Sequence, residues 1–138
     1  MKANKLFLTA ALIALAPAVS AQEGETGQAL YEANCAACHQ YDGGGVPMMQ
    51  PELILSPRAN GDIGGVIDLI LLGSAAVEPG MSEYSNEMPP FDYLTDEDIA
   101  LIATYVRTNF ENAGGAVTAD DVDARRKRAG LEPASQPE

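Results

Sequence analysis

Apolar residues recur along the chain in two clear stripes, and each predicts a helix. Ile63, Val66, Ile67, Ile70 and Leu71 fall at spacings of three and four, the repeat of one helix face. Gly61-Asp62 opens that segment and Gly73 ends it. Ile99, Ile102, Ala103, Val106 and Phe110 form the second stripe, within a helix from Thr95 to about Phe110. Thr95 with Asp98 approximates a capping box with Asp in place of Glu. Asp96, Glu97 and Asp98 put negative charge at the positive end of the helix dipole, and Arg107 sits near the other end. A shorter helix is predicted over Gly27 to Cys35, capped by Thr26 and carrying Leu30 and Tyr31.

Between these elements the pattern breaks. Residues 40–60 read as loop, with Gly43-Gly44-Gly45, Pro47, Pro51 and Pro57; residues 74–91 read likewise, with Pro79, Gly80, Pro89 and Pro90. Asn112 to Ala116 reads as a hinge. Thr118 then caps a short helix, with Asp120, Asp121 and Asp123 early and Arg125 to Arg128 late. Residues 131–138, with two prolines, should fray. Strand signals are weak and no repeat appears, so the expected fold class is all-α.

The first residues change the picture of length. Lys2 and Lys5 precede an apolar run of about ten residues, and small residues stand at Val19-Ser20-Ala21 and Ala18 before it. Residues 1–21 therefore read as a secretory signal, too short to span a membrane. Two further segments are expected, a domain over 22–112 and a C-terminal extension over 113–138. Without the signal, six basic residues face twenty acidic ones, a net charge of −14. That balance excludes nucleic-acid binding, since phosphate contacts need Lys and Arg. It fits either a solubilising surface or steering toward a basic partner. The Asp-then-Arg order of the tail helix matches the helix dipole, or else gives the tail its own docking charge.

The polypeptide core is thin: the chain has no Trp and three Phe. Cys35-Ala36-Ala37-Cys38-His39 offers what would fill it, because this is a c-type haem attachment motif. Two thiols on one helical turn can add to the two vinyl groups on one porphyrin edge, and the next residue, His39, can reach the iron. A thioredoxin-like pair needs a βαβ context, and a structural zinc site needs four ligands. The chain offers two Cys and one His. Met48, Met49, Met81 and Met88 are the candidates for a thioether opposite His39. Met88 is favoured, since the prolines after it hold its loop. Met81 is the runner-up, and Met48 and Met49 are expected to pack in the haem crevice. Arg58 is either solvated or the partner of a haem propionate.

From Thr26 to Phe110 the sequence resembles the class I cytochromes c. The likeness is carried by Gly27, Tyr31, Cys35, Cys38, His39, Pro51, Gly73, Met88-Pro89-Pro90-Phe91 and Tyr105-Val106-Arg107. More narrowly it resembles small bacterial haem modules that serve periplasmic dehydrogenases or oxidases. The resemblance implies three or more helices wrapped around one covalent haem c, with Cys35 and Cys38 as attachment points and His39 and Met88 as iron ligands. It also implies that the Pro51 carbonyl receives the His39 N–H. Glu52 departs from the Pro-Pro of many relatives. The expected role is that of a periplasmic one-electron carrier, with a dehydrogenase as donor and an oxidase or other cytochrome as acceptor. A fixed subunit of such a complex and a haem-based sensor are the alternatives. The chain has no second His to serve as a distal acid or base, which argues against a peroxidase.

Overall fold

The computed structural model describes residues 26–134. The expected signal, residues 1–21, and the last four residues lie outside that range. Within these residues six helices follow in order: α1 (Gly27–Asn34), α2 (Ala36–His39), α3 (Pro57–Asn60), α4 (Ile63–Val77), α5 (Asp96–Thr108) and α6 (Ala119–Ala129). Among the described residues there is no strand, only an isolated bridge between Val46 and Gln50. The all-α expectation holds.

Local chemistry sets the helix starts. Thr26, Ser56, Asp62, Thr95 and Thr118 each accept a hydrogen bond from a first-turn amide. At Thr95 only half of the expected capping box forms: Thr95 Oγ1 accepts from Asp98 N at 3.1 Å. The full reciprocal box occurs at Thr118 and Asp121 instead. α3 was not expected, because Pro57 reads as a loop signal. It stands at the first helical position, where a missing N–H costs nothing. α5 ends at Thr108, two residues early, and Phe110 adopts a positive φ of 54°.

α4 does break at Gly73, as its sequence implies, but it resumes to Val77. Gly73 has φ +73°, and an added Cβ would stand 2.5 Å from the Met88 carbonyl oxygen. Only glycine permits this close approach. Ser74 continues the junction: its N–H donates to Met88 O at 3.0 Å, and its hydroxyl accepts from Met88 N at 2.9 Å.

The two stripes face inward. Ile67, Leu71, Ile99, Ala103 and Val122 are fully buried and share one core with Leu30, Val66, Ile70 and Ile102. A second cluster joins Tyr31, Ala36, Ala59 and Val106, and Cys35 touches both. α1 crosses α5 at Gly27, whose Cβ position is filled by the Leu101 carbonyl oxygen and Tyr105 Cβ.

The segment read as a hinge is tied into the body. Asn112 is buried and its amide donates to Leu53 O and Val106 O. Arg107 is 3% exposed and caps carbonyls of Gly61, Gly114 and Gly115. α6 packs on α4 and α5, with its Val122 and the preceding Val117 both in the core. Its cations meet acids of this same chain: Arg125 pairs with Asp68, Arg126 with Asp96, and Lys127 with Asp123.

Candidate functional site

The residues of the Cys-x-x-Cys-His run gain fixed positions from what precedes and follows them. The Cys35 N–H continues the α1 ladder onto Tyr31 O, and the His39 N–H closes the α2 turn on Cys35 O. Tyr31, itself fully buried, donates its hydroxyl to Gln40 O at 2.6 Å. That bond anchors the turn leaving His39, where Gln40 takes a φ of 66°. Burial, with smaller contributions from Cys35, Tyr105 and Asp42, raises the Tyr31 phenol well above its usual range, so it remains a donor.

His39 Nδ1 lies 3.0 Å from the Pro51 carbonyl oxygen. A carbonyl only accepts, so Nδ1 carries the proton and Nε2 keeps its lone pair. Burial lowers the His39 pKa, partly opposed by the Pro51 bond, which favours the neutral imidazole that binds metals. Gly45 makes room for this contact: its φ is +62°, and a Cβ there would stand 2.5 Å from Pro51 O.

Cys35, Cys38, His39, Pro51 and Met88 all line one cavity of about 870 Å³. That volume lies within the range of roughly 300–1,000 Å³ usual for cofactor pockets. Val66, Leu69, Ile70, Phe91, Ile102 and Val106 form its apolar wall. Burial, then the neighbouring Cys38, pushes the Cys35 thiol up to about 11. Such a thiol is almost wholly protonated at neutral pH, unlike the low-pKa cysteine of a dithiol redox enzyme. Gln50 Oε1 is buried without a partner and its residue lines the cavity. A flat, mostly apolar group with a polar edge suits this set of walls.

Arg58 also lines the cavity and pairs with Glu78, another lining residue, with both side chains about one-third exposed. Met81 is 80% exposed and is not among the lining residues. Met48 and Met49 depart from the expectation of crevice packing, since neither is among the residues lining this cavity. Their carbonyls instead accept from Ser85 N and Asn86 N, joining two loops. Sequence reading missed Gln50, Tyr31 OH and the Gly73–Ser74 seat of Met88. No spacing rule finds such contacts, because each depends on tertiary placement.

A thiol pair, an imidazole and a thioether around one apolar cavity in an all-α body define a haem-bearing redox domain. The cytochrome c family model matches residues 24–110, and the chain belongs to the cytochrome c family. Its members carry covalent haem c. The chain is 38% identical over 110 residues to the fructose dehydrogenase cytochrome subunit of Gluconobacter japonicus, covering 75% of this chain and 22% of that protein. It is 30% identical over 109 residues to the gluconate 2-dehydrogenase cytochrome c subunit of Pantoea cypripedii, covering 76% and 25%. With cytochrome c6 of Cyanidium caldarium it shares 33% over 82 residues, 59% of this chain and 67% of that one. The match thus spans about a quarter or less of the dehydrogenase subunits' length. Among the described residues no helix is long and apolar enough to cross a membrane.

Proposed function

We propose that the chain is an exported, periplasmic one-electron carrier, with haem bonded to Cys35 and Cys38 and ligated by His39 and Met88. The observation that carries this reading is the single cavity lined by all four residues, with His39 Nδ1 held by Pro51. Haem bound there supplies the Fe(III)/Fe(II) couple. Pro51 orients the imidazole and raises its basicity. The Gly73–Ser74 junction seats the Met88 backbone, and a thioether in that place favours the reduced metal. Ile70, Ile102 and Val106 keep water from the centre of the cavity. Arg58 and Gln50 are suited to the polar edge of the group. The protein itself catalyses no substrate conversion in this reading.

A dehydrogenase is the proposed electron donor, and an oxidase or another cytochrome the acceptor. The named relatives favour a second form of the same role, a cytochrome subunit held in a dehydrogenase complex. Co-purification separates the two: a fixed subunit elutes with its dehydrogenase, a shuttle elutes alone.

The attachment is tested by mass spectrometry and acid–acetone extraction. One haem should stay on the polypeptide, and extractable haem or a Cys35–Cys38 disulfide overturns the assignment. Met88→Ala should lower the reduction potential and open the ferrous iron to carbon monoxide, while Met81→Ala changes neither. The reverse pattern moves the ligand to Met81.

A further inference from the structure

Arg126 is the most deeply buried charged side chain among the described residues, at 1% exposure. It comes from α6, outside the segment matched by the family model. All three guanidinium nitrogens are used. Nε donates to Asp96 Oδ1 at 2.7 Å, Nη1 to Asp92 O at 2.7 Å, and Nη2 to Leu94 O at 2.8 Å. The three acceptors lie within five residues, all on the strip between Phe91 and the first turn of α5. Packing alone does not require a cation here, since an apolar residue of similar size would fill the space without desolvating a charge. What the guanidinium does that a methionine could not is fix two loop carbonyls and one carboxylate at once, in a rigid fork.

The strip it grips is the downstream end of the Met88 loop. Upstream, Met88 is hydrogen-bonded at both its N–H and its carbonyl to Ser74, after the Gly73 break. Between the two anchors, Phe91 N donates to Ile70 O at 2.8 Å and Leu94 N to Phe91 O at 3.0 Å. α6 is itself fastened to α4, because Arg125 Nε donates to Asp68 Oδ1 at 2.7 Å. One side of the loop therefore hangs from α4, and the other from a helix braced against α4.

We propose that Arg126 is a positioning residue for the Met88 sulfur, and that α6 acts through it as a clasp on the ligand loop. The proposal rests on the reading of Met88 as the iron ligand. Without the fork, the stretch between Met88 and α5 keeps the Phe91–Ile70 backbone bond but is released at Asp92 and Leu94; with it, the loop cannot carry the sulfur away from the metal without breaking charged hydrogen bonds.

The test uses the full-length haem-loaded protein. Arg126→Met should raise the carbon monoxide-accessible fraction of ferrous protein about tenfold or more, since it removes three hydrogen bonds from a charged donor. It should lower the reduction potential and speed amide hydrogen exchange at Phe91 and Leu94. Arg126→Lys keeps the charge but not the fork and should fall between; it carries the same test if Arg126→Met retains no haem. Arg125→Met weakens the brace of α6 on α4 but leaves the fork on the loop intact, and should lower the melting temperature while shifting carbon monoxide access and potential less than Arg126→Met does. Wild-type access and potential in the Arg126 variants overturn the proposal, and so does an equal change in Arg125→Met. Met88→Ala is measured alongside. If it opens nothing to carbon monoxide, the ligand reading itself has failed, an outcome distinct from a silent Arg126.

Discussion

Gly73 and Ile102 show how much a single side chain decides here. At Gly73 a Cβ meets both an unfavourable φ and the Met88 carbonyl. Gly73→Ala should cost about 1 kcal/mol or more from backbone strain, before any displacement of the loop is counted. Thermal unfolding of the loaded protein gives the first term, and the reduction potential reports the second. A variant that melts normally with an unshifted potential would show that the junction tolerates a side chain. Ile102 is 1% exposed and lines the cavity shared by Cys35, Cys38, His39 and Met88. Ile102→Asp places a carboxylate there with no partner, and the holoprotein should fail to fold. Retention of wild-type melting would put this stripe elsewhere. At this scale the sequence was most readable where chemistry is local. The Cys-x-x-Cys-His run names itself, whereas the pattern around Arg126 and Arg107 shows only that each suits the C-terminal end of a helix dipole. Their burial depends on acceptors more than thirty and forty residues away respectively, Asp92 and Gly61.

Among the elements, α6 carries helix signals at both ends of its sequence, while its role shows only in the packing. Thr118, the early acids, the late cations and Gly130 in the left-handed region form a complete set of helix signals. Thr118→Ala should destabilise the fold by about 1 kcal/mol, read from chemical denaturation. The cap also has a pH signature. The Thr118 hydroxyl and N–H, bonded to the Asp121 carboxylate, hold its pKa below the usual carboxylate range. A depressed folded pKa contributes stability above the ordinary value of about 3.9, and that contribution is lost as pH falls through the lowered folded value. Asp121→Asn should remove this part of the acid dependence, and an unchanged acid profile would show that the cap is not coupled to the fold. α3 and the Met48–Met49 loop were the elements misread. Pro57 counted as a loop signal though it suits a helix start, and two adjacent methionines suggested a crevice that their exposed loop does not enter.

For the whole molecule, charge and packing have different consequences. A net charge of −14 without residues 1–21 creates a broad negative field, so electron exchange with a basic redox partner should slow steeply as ionic strength rises past the ~10 Å screening regime near 0.1 M. Stopped-flow rates across a salt series check this, and a flat profile would leave the acidity to solubility alone. The tail contributes little free positive charge to such docking, because Arg125, Arg126 and Lys127, three of its four cations, are paired within the chain. Deleting residues 117–138 should therefore do more than weaken a partner contact. It removes Val117 and Val122 from the core and uncovers α4 and α5. The truncated protein should melt lower and lose its native spectrum, and a truncated protein indistinguishable in both would show that the tail is an accessory.

The crossing of α1 and α5 at Gly27 has a bearing on the order in which the molecule assembles. Its two partners are separated by residues 35–95, so the contact closes a long loop, and forming it is slow relative to any local helix. In the exported chain proposed above, Cys35, Cys38 and His39 would cross the membrane well before Leu101 and Tyr105. During that interval the thiols would have no finished core around them. The contact that Gly27 permits is thus one that closes late, and the proposed attachment would have a window on an open polypeptide.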